Sequence, residues 1–305
     1  MKIFVTGGNG FLGTSLCAKL IAQGNEVIAP GSGECNLTQT SSLYQFSHEK
    51  YDQIYHLAAW TQAGDFCMYH PGEQWLINQQ INTNLLNWWH CYQSQAKLIF
   101  MGTSCAYAPG TDLIENNYMH GEPIESLYTY AMTKRMLFQG ARALSKQYGY
   151  KWNCFVPSTL YGPGYHTDGR QMHFIFDLIR KIIRAKEYNE TVILWGNGYQ
   201  RRELVFIDDF IDILFTINNS TSNEIFNIGA GVEYSIRDFA NQISNIIGYE
   251  SSMIQYDETR YVGAQSKCLS IKKVLDVIPK YAEMLTPLEV GLRKTIDWFY
   301  KEQAY

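Results

Sequence analysis

The chain has 305 residues, 46% hydrophobic and 18% charged, so it can bury a large core and is neither disordered nor low in complexity. Its 25 basic and 29 acidic side chains give a formal charge of −4, which offers no basic face to a nucleic acid. Seven cysteines, at positions 17, 35, 67, 91, 105, 154 and 268, never form Cys-x-x-Cys, so free thiols in a reducing compartment are expected and neither a disulfide framework nor a metal site is.

After Met1-Lys2 the apolar run Ile3-Phe4-Val5 soon meets glycine, and no uncharged run reaches membrane-spanning length, so a soluble cytoplasmic chain with no membrane partner is expected. Lys2 to Thr6 predicts a strand, followed by a glycine turn, a helix from Thr14 to Gln23 and a second strand from Glu26 to Ala29. Apolar runs at Gln53 to Ala58, Lys97 to Met101 and Asn153 to Val156 alternate with helical stretches at Glu73 to Tyr92 and Glu125 to Tyr148. This alternation predicts an α/β fold, a Rossmann-type doubly wound parallel sheet over residues 1–161. Gly162 to Gly169 reads as a loop, and beyond it the alternation breaks, so 162–305 is expected to form mainly a smaller α/β substrate lobe. Within it the pattern predicts helices at Gln171 to Lys186, Ile236 to Ile247 and Pro287 to Lys301, and a strand at Thr191 to Trp195. Glu203 to Ile207 and Glu224 to Ile228 read as strands returning to the first sheet, Asp208-Asp209 as a helix cap, and the polar stretch 218–223 as a surface loop.

Gly7, Gly10 and Gly13 form Gly-x-x-Gly-x-x-Gly between the first strand and the first helix. There a tight turn, a close backbone approach and close helix packing together cradle a pyrophosphate at a helix N-terminus, so a dinucleotide is the expected ligand. The second strand ends Ala29-Pro30-Gly31-Ser32-Gly33, with neither a carboxylate for a ribose hydroxyl nor an arginine for a 2′-phosphate. NADP(H) is favoured because no acid repels its phosphate, and NAD(H) stays open.

Tyr-x-x-x-Lys occurs once, at Tyr130 and Lys134, one helical turn apart and so on one face. An ammonium beside a phenol lowers its ordinary pKa of about 10, which predicts Tyr130 as a general acid or base. The hydroxyl-bearing stretch Gly102-Thr103-Ser104 precedes the pair at the carboxyl end of the fourth strand, where such sheets bind ligands.

The glycine turn, His56-Leu57-Ala58-Ala59, Thr103-Ser104 and Tyr130/Lys134 together resemble an extended short-chain dehydrogenase/reductase over nearly the whole chain. The resemblance implies a nicotinamide beside Tyr130, Lys134 on its ribose, and further cofactor contacts at Phe11, Leu12, Ser32, Leu57, Ala58, Ala59 and Pro157. It also implies a second lobe gripping a sugar nucleotide and a homodimer through the helices carrying Trp88-Trp89 and Tyr130. Sugar-nucleotide dehydratases of this superfamily carry Thr-Asp-Glu where this chain has Thr103-Ser104-Cys105, so loss of water lacks its acid and base. Simple 4-epimerases and 4-reductases need only the hydroxyl, tyrosine and lysine, and stay open.

Phe100-Met101-Gly102-Thr103-Ser104-Cys105-Ala106-Tyr107 is similar to the active-site strand end of the GDP-L-fucose synthase family, whose cysteine at the position of Cys105 is an acid/base. That family's partner histidine falls at His173, and its Trp-Gly-x-Gly, Arg-Glu and nucleotide-side lysine fall at Trp195, Arg202-Glu203 and Lys267. The similarity implies an epimerase/reductase of a nucleotide-linked, preferably GDP-linked, 4-keto-6-deoxy sugar. In it Thr103, Tyr130 and Lys134 serve reduction, Cys105 and His173 serve inversion, and Ser104, Trp195, Arg202 and Lys267 hold substrate. Arg180 and Lys181, turned inward, would meet a pyrophosphate. Inverting a carbon beside a 4-keto group needs proton removal on one face and return on the other, and a thiol of pKa about 8.5 and an imidazole of about 6.5 both exchange protons near neutrality. The chain departs from the family in lacking an arginine after the second strand, in having threonine for serine at 103, and at Trp60-Thr61-Gln62-Ala63-Gly64. A non-catalytic dinucleotide sensor is the alternative from a different class.

Overall fold

The run Lys-Ile-Phe-Val-Thr forms strand β1 (Lys2–Thr6), whose Ile3, Phe4 and Val5 are fully buried, as a parallel strand covered on both faces requires. A computed structural model describes residues 1–260 and 263–305. Strands β2 (Glu26–Ile28), β3 (Gln53–His56), β4 (Lys97–Met101), β5 (Trp152–Pro157) and β6 (Glu224–Ile228) join β1 in a six-stranded sheet of order β6-β5-β4-β3-β1-β2. Every pair is parallel, so this is the doubly wound α/β fold that the apolar runs predict. The chain leaves β1 for β2 on one side and returns as β3 on the other. The topological switch therefore lies between the carboxyl ends of β1 and β3, where Gly7–Gly13 and Leu57–Ala59 sit.

The longer helices are α1 (Phe11–Ala22), α2 (Pro71–Tyr92), α3 (Tyr128–Tyr148), α4 (Phe174–Tyr188), α5 (Ile207–Ser220), α6 (Ile236–Ile247) and α7 (Leu288–Lys301). On one sheet face α2 and α3 bury Leu85, Trp88, Trp89, Leu137 and Phe138, while on the other α1 and α5 bury Leu16, Leu20, Phe210 and Leu214. A separate core joins α4, α6 and α7 through Ile179, Ile182, Phe239, Ile243 and Leu292. None of the described helices is long and apolar enough to cross a membrane.

Several expectations are corrected. Leu204–Phe206 does not join the main sheet but pairs in parallel with Thr159–Tyr161, whereas the strand expected at Thr191 to Trp195 forms over Ile193–Trp195 and pairs with Gln255–Asp257. The stretch 218–223 is no simple surface loop: Asn218 lies in the last turn of α5, is 4% exposed, and donates to Gln53 Oε1 at 3.3 Å. Asp209 does not cap α5 but accepts the backbone N–H and the hydroxyl of Thr286 at 2.6 and 2.8 Å, because it already lies inside the first turn. Trp88 and Trp89 are 0% exposed, so their indoles belong to the core.

Candidate active site

The end of β1 and the start of α1 form the cradle. Gly7 takes φ +73°, and a Cβ there would lie 2.7 Å from the Ala58 nitrogen; a Cβ on Gly13 would lie 2.1 Å from the Gly7 oxygen. Gly10 caps α1 without a side-chain hydrogen bond, which leaves the amides of the first turn, at Phe11, Leu12 and Gly13, to an anionic ligand. A Cβ on Gly10 would meet only the Gly7 oxygen, at 3.3 Å, so the space above the turn is open and fits a pyrophosphate. Leu57, Ala58 and Ala59 follow β3 and Pro157 ends β5, all partly buried along the same carboxyl edge, while Ser32 is exposed beyond β2.

Beyond β4, Thr103 caps the single 3-10 turn Ser104–Ala106, its Oγ1 accepting the Cys105 N–H at 3.2 Å and its own N–H donating to the Tyr118 hydroxyl at 3.3 Å. Ser104 is partly buried in that turn. The Thr103 hydroxyl favours the ionised form of both the Cys105 thiol and the Tyr130 phenol, so one oxygen influences two proton-carrying groups. Burial, then the neighbouring Cys105, pushes the Tyr130 phenol above its ordinary value, with Thr103 pulling the other way. This corrects the expectation of a phenol lowered by Lys134. The charge of the lysine acts on Cys154 and His56 instead; it is 6% exposed, and burial lowers its ammonium to about 8.

The site is closed by a residue from far along the chain. Lys267 Nζ lies 3.1 Å from Cys105 Sγ. Burial raises the thiol, but the charge of Lys267, the hydroxyl of Thr103, the Lys267 hydrogen bond and the charge of Arg202 outweigh it, so the net shift is downward. Arg202 Nη1 also donates to the carbonyls of Arg201 and Ala264, each at 2.7 Å.

His173 is not inside a helix, as expected, but is the residue that precedes α4. Its N–H donates to Tyr165 Oη at 3.3 Å, and Tyr165 stacks on Phe176 at 3.8 Å while Phe11 of the cradle packs edge-on against both. Phe11 thus ties the cofactor end of α1 to the histidine. By surface area His173 is exposed, yet its ring sits deep among protein atoms. Burial, then Lys267 and His166, lowers the imidazole to about 4, so it is uncharged at neutral pH.

Three expected substrate residues lie outside this cluster. Arg180 and Lys181 are both paired with Asp177 of their own helix, at 2.7 and 2.8 Å, and Trp195 is 50% exposed with the Arg260 guanidinium over its ring. The sequence reading missed Cys67, whose thiol feels Cys105 and receives a 3.3 Å hydrogen bond from Gln74 Nε2, and it missed the role of Glu203. Glu203 is 2% exposed and accepts the N–H groups of Gly231 and Leu269 at 2.7 and 3.0 Å. Its signal was a carboxylate directly before the apolar run Leu204-Val205-Phe206.

A glycine cradle at the switch point of a parallel sheet, with hydroxyl, phenol and lysine gathered beyond β4, defines a dinucleotide-dependent α/β enzyme. Residues 3–229 match the NAD dependent epimerase/dehydratase family, and the chain belongs to it. It is 28% identical over 311 residues to GDP-L-colitose synthase of Yersinia pseudotuberculosis, covering 99% of each chain. It is 26% identical over 317 residues to GDP-L-fucose synthase of Escherichia coli K12, covering 99% of this chain and 97% of that one. In fold it resembles a GDP-6-OMe-4-keto-L-xylo-heptose reductase from C. jejuni, with TM-score 0.88, 21% identity and 99% and 98% of the two chains covered. A GDP-L-fucose synthetase from Naegleria fowleri bound to NADP aligns with TM-score 0.87 and 21% identity, over 99% of this chain and 94% of that one.

Proposed function

We propose that the chain is an NADP(H)-dependent epimerase/reductase acting on a GDP-linked 4-keto-6-deoxy sugar, inverting carbon 3, carbon 5 or both and reducing carbon 4. The observation that carries this is the gathering of Thr103, Cys105 and Tyr130 beyond β4: Thr103 Oγ1 accepts the Cys105 N–H at 3.2 Å, and hydroxyl, thiol and phenol act on one another's proton affinity, the thiol serving exchange at carbon and the phenol the carbonyl oxygen. The names of the curated relatives, which are synthases of GDP-sugars, support the nucleotide. The absence of a carboxylate after β2, in Pro30-Gly31-Ser32-Gly33, supports NADP(H) over NAD(H).

NADPH, gripped by Gly7, Gly10, Phe11, Leu12 and Gly13 and by Lys134, supplies hydride when bound. Every other step belongs to side chains. The uncharged His173 accepts a proton from carbon, and Cys105 returns one on the other face, or the two exchange roles at the second centre. Thr103 and Tyr130 hydrogen-bond the enolate oxygen at carbon 4, and Tyr130, held protonated by burial, gives that oxygen its proton during reduction. Ser104 and Arg202 steady the substrate. Residues 162–305 form most of the sugar-nucleotide lobe. The protein is cytoplasmic and pairs as a homodimer through the outer faces of α2 and α3.

In heavy water with NADPH and a GDP-linked 4-keto-6-deoxy sugar, the wild type is expected to consume NADPH and to place solvent deuterium on each inverted carbon. Cys105→Ser should stop inversion and spare some reduction, with deuterium entering through His173 returned to the face it left, whereas Tyr130→Phe should slow reduction by about 10²- to 10⁴-fold. Reduction with no uptake would favour a simple 4-reductase. Neither signal with GDP-, dTDP-, CDP- or UDP-linked keto sugars would remove the proposal.

A further inference from the structure

We infer that Lys267 is a positioning residue that holds its ammonium on the Cys105 sulfur and stabilises the thiolate form, and that the carboxylates of Glu203 and Glu233 aim it there. The inference rests on the reading above that Cys105 exchanges a proton with a sugar carbon.

The contact is 3.1 Å between residues 162 apart in sequence, so packing alone brings them together. An ammonium on a flexible four-carbon stem favours one anion only when its backbone is held. Here it is held on both sides. Glu233 Oε2 accepts the Lys267 N–H at 3.2 Å and the Ser266 hydroxyl at 2.8 Å, while Arg201 Nε donates to Glu233 Oε1 at 3.0 Å. One residue beyond Cys268, the Leu269 N–H donates to Glu203 Oε2 at 3.0 Å, and Glu203 Oε1 takes the Gly231 N–H at 2.7 Å. Residues 266–269 are therefore tied to one carboxylate before Lys267 and to another after it.

Glu203 has no ion-pair partner among the described residues, and burial raises it to about 7. A carboxylate kept at such a cost does what an apolar side chain cannot: it accepts several N–H groups at once. The titratable groups that act on the Cys105 sulfur are Lys267 and Arg202, both cationic, with Tyr130 on α3 and Cys67 on the helix Phe66–Tyr69, both held uncharged by burial; the Thr103 hydroxyl completes the set.

The test is the pH dependence of Cys105 alkylation by iodoacetamide in the free enzyme, followed by peptide mass spectrometry so that each cysteine is read separately. Lys267→Met is expected to move the midpoint up by about one unit or more, slowing alkylation at pH 7 about tenfold, with the exposed Cys91 unchanged. Lys267→Arg, which keeps the charge, should restore most of the shift. Glu233→Gln should shift the midpoint the same way by less, and it carries the test if Lys267→Met fails to fold. A lysine that served only the substrate diphosphate would leave the free enzyme's thiol profile where it is, and that result overturns the inference. Failure of the parent reading looks different: the wild type takes up no deuterium with any keto sugar, while the alkylation shift remains.

Discussion

His56 Nδ1 lies 2.7 Å from the Thr6 hydroxyl, joining β3 to β1 across the switch point of the sheet. Its other ring nitrogen is 3.2 Å from Asn82 Oδ1, and the Asn82 amide donates to the Thr133 carbonyl, one residue before Lys134. The imidazole is 1% exposed, and burial, then the charge of Lys134, lowers it to about 3. The unfolded chain therefore binds more protons here between pH 6.5 and 3, so this group's contribution to stability falls as pH falls through that window. Comparing wild type with His56→Gln in urea at pH 7 and pH 4 isolates it from opposing groups such as Glu203. The stability of wild type relative to the variant should drop by about 3 kcal/mol on acidification, and an unchanged difference would refute the assignment.

Two glycines of the cradle should respond differently to alanine. Gly13→Ala sets a methyl 2.1 Å from the Gly7 oxygen and should cost about 1–3 kcal/mol in thermal unfolding. Gly10→Ala meets only one atom, at 3.3 Å, and projects into the open space instead. It should keep the melting temperature and weaken NADPH binding at least about tenfold in a fluorescence titration.

Lys134 has no hydrogen-bond partner among the described residues and is lowered to about 8 from 10.5. Below pH 8 it is charged in both folded and unfolded chains but disfavoured in the fold, and stability recovers as pH rises from 8 to 10.5. Lys134→Met should accordingly be more stable than wild type at pH 7, by up to about 3 kcal/mol, with the gap closing toward pH 10.5. The same variant should bind NADPH poorly and turn over slowly, a stability gained at the expense of function. A variant less stable than wild type at pH 7 would contradict this account.

Asp209 anchors the segment before α7 to α5 through its two bonds to Thr286. Asp209→Ala leaves a part-buried N–H and hydroxyl unpaired and should cost about 1–2 kcal/mol, measured by chemical denaturation. Thr286→Ala removes only the 2.8 Å hydroxyl bond, keeps the N–H bond and should cost less.

The sheet was legible because parallel strands buried on both faces leave continuous apolar runs, as at Lys97–Met101, and because β1, the glycine turn and α1 are neighbours in sequence. The Tyr130 and Lys134 pair was legible for the same reason, since one helical turn fixes their common face. What that spacing could not say is which groups each head group meets: the charge of Lys134 acts on His56 and Cys154, and Arg180 and Lys181 pair with Asp177. The meeting of Lys267 with Cys105, the pairing of Leu204–Phe206 with Thr159–Tyr161, and the burial of Glu203 against the backbone of 229–231 and 268–269 belong to the tertiary structure alone. Local periodicity records which face of an element is dry. The charge environment of a thiol or imidazole depends on groups brought close by packing, across separations that leave no periodic trace in the chain.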